Sequence, residues 1–187
     1  MTTKLYIFDM GGVVVQNSDV FGSIFDYLKV SEADFYNFCG PDFMLLSNGK
    51  ISVQEFWRLF SKHSGIPIAK DLFLEFFVPK LDTEVVKLIS ELKHRARVVC
   101  GTNTLESHYQ YHLSHEEYAV FDKVYASNKM GISKPDPNFF RYILQAENTA
   151  AAESCFVDDM FENVTAAGKL GIKTIHFAGI TALKASL

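Results

Sequence analysis

Cysteine is scarce: Cys39, Cys100 and Cys155 are the only three in 187 residues, far apart and in apolar surroundings. An odd number at that spacing argues against a disulfide framework and against a zinc-ligand pattern, and it suits a reducing, cytoplasmic setting. Long apolar runs are missing as well. The N-terminal run Leu5-Tyr6-Ile7-Phe8 is cut by Asp9, too short for the apolar part of a secretion signal or for a membrane span. No membrane partner is expected. There is no basic run either, and the net charge is −4. The single dense cationic group, Lys93, His94, Arg95 and Arg97, reads as cations in the last turn of a helix. A nucleic-acid backbone is therefore not an expected partner. Internal repeats and low-complexity tracts are also lacking, so the whole chain is available for folding.

What is present is apolar and aromatic. Hydrophobic residues make up 48% of the chain, and there are 17 Phe, many between Phe21 and Phe77. That is enough to build a full core. Leu5 to Phe8 reads as a strand buried on both faces, followed by a Gly11-Gly12 loop and an extended Val13 to Val15. Helical spacing follows around 21–29, 32–38, 52–62 and 70–77, with Ser52 and Glu55 as a capping box. After Pro79 strands and helices alternate. Asp82 caps a helix to about His94. Val98 to Cys100 is a strand, 105–113 a helix, and Val124-Tyr125 a strand. Pro137 opens a helix to about Ala146. Cys155 to Val157 is a strand, Asn163 to Leu170 a helix, Ile172 to Phe177 a last strand, and Ile180 to Leu187 a short terminal helix. Alternation of this kind predicts a parallel sheet with helices on both faces. The expected organisation is an α/β core from residues 1–15 and 80–187, interrupted at 16–79 by an all-helical insert. An insert after the first strand would lie over the carboxyl ends of the strands, where such sheets bind ligands.

Four polar segments follow predicted strands: Asp9-Met10-Gly11-Gly12, Gly101-Thr102-Asn103-Thr104, Lys134, and Asp158-Asp159. Singly each has a plain structural reading, as helix cap, turn or surface lysine. Together they describe a site. Clustered carboxylates need a cation, and hard oxygen ligands suit Mg²⁺. A lysine adds charge balance, and the Thr102 hydroxyl and Asn103 amide can hold the oxygens of a tetrahedral anion. That set fits phosphoryl transfer, with a carboxylate as covalent nucleophile. His108 and His112, at i, i+4 spacing, lack a third zinc ligand and read as surface or insert-contacting residues. Trp57 reads as packing, and the other aromatics of the insert read as the core of a small helical bundle rather than a hydrophobic ligand pocket, with those at its rim open to substrate contact.

These segments resemble the four motifs of the haloacid dehalogenase superfamily of hydrolases. Phe8-Asp9-Met10-Gly11-Gly12-Val13 is similar to the first motif and Thr102-Asn103 to the second. Gly131-Ile132-Ser133-Lys134-Pro135-Asp136-Pro137 is similar to the third, and Phe156-Val157-Asp158-Asp159 with Asn163 to the fourth. The resemblance spans about residues 4–177. It implies a Rossmann-like parallel sheet with helices on both faces, plus a small helical cap placed after the first strand. It also implies a magnesium-dependent phosphatase acting on a small phosphorylated metabolite, a sugar phosphate in the subgroup that this motif resembles. By resemblance, Asp9 is the nucleophile and Lys134 balances its charge and that of the phosphoryl group. Thr102, Asn103 and Lys134 bind phosphate. Asp9, Gly11 (through its carbonyl), Asp158 and Asp159 hold Mg²⁺.

One position departs from the family pattern. The family's phosphatases usually carry a second aspartate two residues after the nucleophile, as general acid and base. Here Gly11 stands there. Such help is worth about 10²–10⁴-fold. Three consequences are open: a substrate with a good leaving group, a substitute donor such as water or Asp19, or a protein that binds phosphate without turning it over. A phosphomutase is a lesser alternative. Dehalogenation is another, disfavoured by Gly11, where dehalogenases usually place a bulky aromatic, and by the Asp158-Asp159 pair.

Overall fold

The computed structural model describes residues 2–187. Its centre is a five-stranded, all-parallel sheet in the order β5-β4-β1-β6-β7. The strands are β1 (Leu5–Phe8), β4 (Arg97–Thr102), β5 (Lys123–Ala126), β6 (Ser154–Asp158) and β7 (Lys173–His176). The sequence of β1 explains its central place, because every residue is apolar and alternate side chains serve opposite faces. Leu5 and Ile7 pack with Phe139, Phe140 and Ile143 of α9 (Pro137–Ala146) and with Ala167 of α10 (Phe161–Gly168). Tyr6 and Phe8 pack with Val85, Leu88, Ile89 and Leu92 of α6 (Thr83–Leu92) and with Leu183 of α11 (Ile180–Ser186). Both faces of the sheet are thereby covered. Cys39, Cys100 and Cys155 are buried and free. Among the described residues no helix is long and apolar enough to cross a membrane.

Between β2 (Val15–Gln16) and β3 (Lys80–Leu81) the regular elements are all helices, joined by short loops: α1 (Phe21–Leu28), α2 (Glu32–Cys39), α3 (Asp42–Ser47), α4 (Val53–Ser64) and α5 (Leu72–Glu75). These helices share one aromatic cluster, in which Phe35, Phe56, Trp57, Phe60 and Phe73 are buried. Trp57 lies 4.6 Å from the ring of Phe73 and donates its indole N–H to Asp71, so it packs, as its sequence context implies. Aromatic pairs of this kind add about 0.5–1.5 kcal/mol each beyond burial, which lets short helices hold together. β2 and β3 pair antiparallel, Val15 opposite Leu81, where the chain enters and leaves the helical segment.

Local differences from the sequence reading have local causes. Asp42–Ser47 is helical although its apolar residues run consecutively and show no helical period. β3 is two residues long and carries no pattern. Ser52 caps α4 through the Glu55 N–H, but the Glu55 carboxylate turns to Arg58 instead of completing the box. The cations from Lys93 to Arg97 lie past the end of α6, not in its last turn. Lys93 donates to the Val120 carbonyl and pairs with Asp122, and Arg97 pairs with Glu147 from the start of β4. α7 (Glu106–Ser114), α8 (Ser127–Met130) and two short 3-10 helices, Glu117–Val120 and Ala151–Glu153, complete the elements; α8 is a single turn that the sequence did not announce.

Candidate functional site

The carboxyl ends of the three middle strands bring the polar segments together. Phe8 is in register with Cys100 on one side and Val157 on the other, so the residues that follow, Asp9 and Asp158, come out side by side. The Asp9 N–H donates to the Val157 carbonyl at 2.9 Å. Lys134, between α8 and α9, reaches in from the β4 side. Its Nζ lies 2.8 Å from Asp9 Oδ1 and 2.7 Å from Asp158 Oδ2. All three side chains are buried. A buried lysine bridging two buried carboxylates is stable only because each charge has its partner.

Asp159 stands at the rim, and its carboxylate and those of Asp9 and Asp158 bring ligand oxygens within 4.8 Å of one another. Three carboxylates thus face one ammonium. Burial pushes the pKa of Asp9 up to about 7, against the pull of Lys134 and with the help of Asp158. Asp159 is also raised, by burial and then by Asp158. Burial alone would lower Lys134, but Asp9 and Asp158 outweigh it and hold the ammonium charged. The excess of negative charge on hard oxygens fits a divalent cation such as Mg²⁺.

Asp158 is the most firmly fixed of the three. Oδ1 accepts from the Met160 N–H at 2.7 Å, and Asn163 donates to both oxygens at 3.1 Å. Asn163 sits in the first turn of α10, one helical turn beyond the acidic pair. Gly12 makes room for Asp159. Its φ is +71°, and a Cβ placed there would lie 2.2 Å from Asp159 Oδ2, so only glycine fits both the conformation and the space.

Thr102 ends β4 and is buried. The Asn103 side chain is paired with the peptide of Lys134: its amide donates to the Lys134 carbonyl and its Oδ1 accepts the Lys134 N–H, both at 2.8 Å. Asn103 therefore sets the position of the lysine. Gly11 faces a cavity beside the cluster. A Cβ on Gly11 would lie 3.0 Å from Ser18 Oγ, so the hydroxyl of Ser18 occupies the space beside the missing side chain. Asp19 is turned away from this task, since its Oδ1 accepts the Phe21 N–H at the start of α1.

The cavity, about 500 Å³, runs from Met10, Gly11, Thr102 and Asn103 to the aromatic residues of the helical segment. His108 and His112 of α7 line it without forming a metal pair. His108 Nε2 is 3.0 Å from the Phe73 carbonyl, and its ring stacks on Phe77 at 3.7 Å. His112 Nδ1 is 2.5 Å from Glu117 Oε2. Burial lowers the pKa of His108 to about 4 and also lowers that of His112. Below the cavity, Ser127 Oγ donates to the Ser47 carbonyl at 2.8 Å and accepts the Thr104 N–H at 3.0 Å. Sequence reasoning passed over Ser18 and Ser127, because their roles come from contacts between distant segments. Asn163 was legible, one turn after an acidic pair.

A family model described as haloacid dehalogenase-like hydrolase matches residues 3–171. A sesquiterpene phosphatase of Aspergillus oryzae is 29% identical over 181 residues, which cover 94% of this chain and 90% of that protein. A D-ribitol-5-phosphate phosphatase of Bacteroides thetaiotaomicron is 28% identical over 191 residues, covering 92% and 91%. Among solved structures, a HAD family enzyme of Bacteroides thetaiotaomicron in complex with magnesium and inorganic phosphate matches with a TM-score of 0.78. It is 25% identical and covers 95% of this chain and 96% of that one.

Proposed function

The chain belongs to the haloacid dehalogenase-like hydrolases, and from that premise we propose that it is a magnesium-dependent phosphatase working through Asp9 on a small phosphorylated metabolite. The observation that carries the reading is the buried Asp9–Lys134–Asp158 bridge with Asp159 beside it. The two relatives named as phosphatases support the phosphate half of the reading. Their names differ in the organic half, which stays open at this point. Residues 16–79 act as a cap over the site, consistent with the aromatic residues they contribute to the cavity wall.

In the first step an oxygen of Asp9 bonds to phosphorus and the ester P–O bond breaks. The alcohol oxygen leaves and takes up a proton. In the second step water adds to the phosphorus of the aspartyl phosphate. Inorganic phosphate departs, a proton is released, and the Asp9 carboxylate is restored. Lys134 offsets the charge of Asp9 and of the phosphoryl oxygens, with Thr102 and Asn103 at the phosphate end of the cavity. Asp9, Asp158, Asp159 and the Gly11 carbonyl would hold Mg²⁺, which when bound neutralises phosphoryl charge. With no carboxyl group at Gly11, the leaving oxygen takes its proton from water or a neighbouring hydroxyl such as Ser18. The same gap favours a second reading, phosphate binding without turnover.

The test is phosphate release from a panel of phosphate monoesters, with and without Mg²⁺, in the native protein and in Asp9→Asn. The reading expects Mg²⁺-dependent release that disappears in the variant. Protein that binds Mg²⁺ yet releases nothing from any ester would leave the binding reading in its place.

A further inference from the structure

The cavity beside Asp9 has two unlike ends. At the sheet it offers Thr102, Asn103 and the Gly11 backbone. Away from the sheet its wall is Phe21, Tyr36, Phe43, Phe73 and Phe77, closed on the other side by Leu105. The rings of this wall are fixed by one another: Phe21 lies 5.5 Å from Phe43 and 6.3 Å from Phe73, and Phe43 lies 6.3 Å from Tyr36.

Three polar side chains along this wall are already engaged, while the Tyr118 hydroxyl is buried without a partner and Ser18 offers a second hydroxyl beside Gly11. His108 bonds the Phe73 carbonyl, His112 bonds Glu117, and the Thr104 hydroxyl is directed to the Leu105 carbonyl. A polyol could use the Tyr118 and Ser18 hydroxyls, but any of its hydroxyls buried against the Phe21–Phe43–Phe73 rings would go without a partner, which costs free energy that a hydrocarbon does not lose. Apolar surface continues to the mouth, where Met160 and Tyr36 line the cavity and remain 50% and 41% exposed. A chain longer than the cavity would therefore meet further apolar surface on the way out. A volume of about 500 Å³ lies within the usual range for a small-molecule site, roughly 300–1,000 Å³.

The geometry points to the phosphate ester of an apolar alcohol as the substrate, with its phosphate at Asp9 and its hydrocarbon part against the Phe21–Phe43–Phe73 wall. This rests on the phosphatase reading and specifies its organic half. Specificity then comes from burial of hydrocarbon, not from hydrogen bonds to hydroxyl groups.

The experiment uses the native protein with Mg²⁺ and non-hydrolysable ligands, so that binding is read apart from turnover. Calorimetry compares ethyl, butyl, hexyl and octyl phosphonate with a polyhydroxylated five-carbon phosphonate. Affinity should rise by about fourfold per methylene until the cavity is filled. The polyol should bind more weakly than butyl phosphonate. In Phe43→Ser the gradient should flatten while affinity for inorganic phosphate holds. Phe43 is only partly buried, and a thermal melt of the variant verifies that it is folded. A flat series in the native protein, or a polyol that binds as well as hexyl phosphonate, overturns the inference. So does an unchanged gradient in folded Phe43→Ser. A gradient without turnover of any phosphate ester overturns the phosphatase reading, and with it the assignment of a substrate, and leaves only an apolar phosphate ester as a bound ligand. Turnover of polyol phosphates without a gradient does the reverse.

Discussion

Replacing Gly12 with alanine separates what Asp159 does from what the loop does. The added methyl has two effects. The first is conformational: φ at Gly12 is +71°, and a side chain in the left-handed region costs about 1–2 kcal/mol. The second is local. The new Cβ would lie 2.2 Å from Asp159 Oδ2, whereas ordinary contact begins at 3.4 Å, so the carboxylate must retreat by about 1.2 Å, the difference between the two. Metal ligands tolerate only about 0.2 Å. Gly65→Ala is the control, because its φ is +74° and nothing lies within 4 Å of its Cβ. Both variants should lose a similar 1–2 kcal/mol in urea unfolding. Gly12→Ala alone should also lose Mg²⁺ affinity, by about 10–100-fold, together with phosphate release. Calorimetric Mg²⁺ titration and urea melts of the two proteins decide it. If Gly12→Ala is folded and its Mg²⁺ affinity equals that of Gly65→Ala, Asp159 is not a ligand and the assignment fails.

Two further predictions concern the gap at Gly11 and the histidine under the cavity. Gly11→Asp should raise turnover on poor leaving groups by about 10²-fold or more, and on good ones by less. It is best made with Ser18→Ala, because Ser18 Oγ lies 3.0 Å from the new Cβ; equal gains on both substrate types would refute the leaving-group argument. His108, held neutral by burial with its pKa near 4, lies below the ordinary value of about 6.5. The unfolded chain therefore binds the extra proton first, and the contribution of His108 to stability should fall as pH drops from about 6.5 towards 4. Between pH 7 and pH 5 the loss is about 2 kcal/mol. Urea midpoints of native protein and His108→Gln at the two pH values should show this loss as the difference between their pH dependences, because the other titrating groups are common to both; equal pH dependence in both would refute it.

Much of the core could be read in advance because its signals are local. β1 is a closed apolar run, α9 begins on a proline, and Asp82 caps α6 through the Glu84 and Val85 N–H groups. The acidic and Thr-Asn segments could be read because each follows a strand of a parallel sheet; Lys134 was also expected after a strand, but α8 separates it from β5, and it was legible through the Gly131 to Pro137 motif. The metal and phosphate roles given to Asp9, Gly11, Thr102, Asn103, Lys134, Asp158 and Asp159 remain part of the proposal. What escaped was relational. Ser18 matters because Gly11 leaves it room, and Asn103 because the Lys134 peptide comes to meet it. Short elements such as α3 and β3 escaped because four apolar residues in a row, or two residues of strand, carry no period. The shape of the aromatic cavity depended on side-chain directions across five helices, which spacing alone does not supply.

The small bridge at Ser127 limits how this molecule could be recombined. One hydroxyl joins the backbone of the helical segment at Ser47 to the backbone after β4 at Thr104. A chimera that grafts another helical segment onto this sheet would need more than matching splice points at β2 and β3. The donor segment must bring a carbonyl to the place of Ser47, or the Ser127 hydroxyl, which also accepts the Thr104 N–H, loses its link to that segment. Diversity in this architecture is then modular at its chain crossings but not at its floor, and new substrate ranges are more readily sought by exchanging wall residues than by exchanging the segment whole.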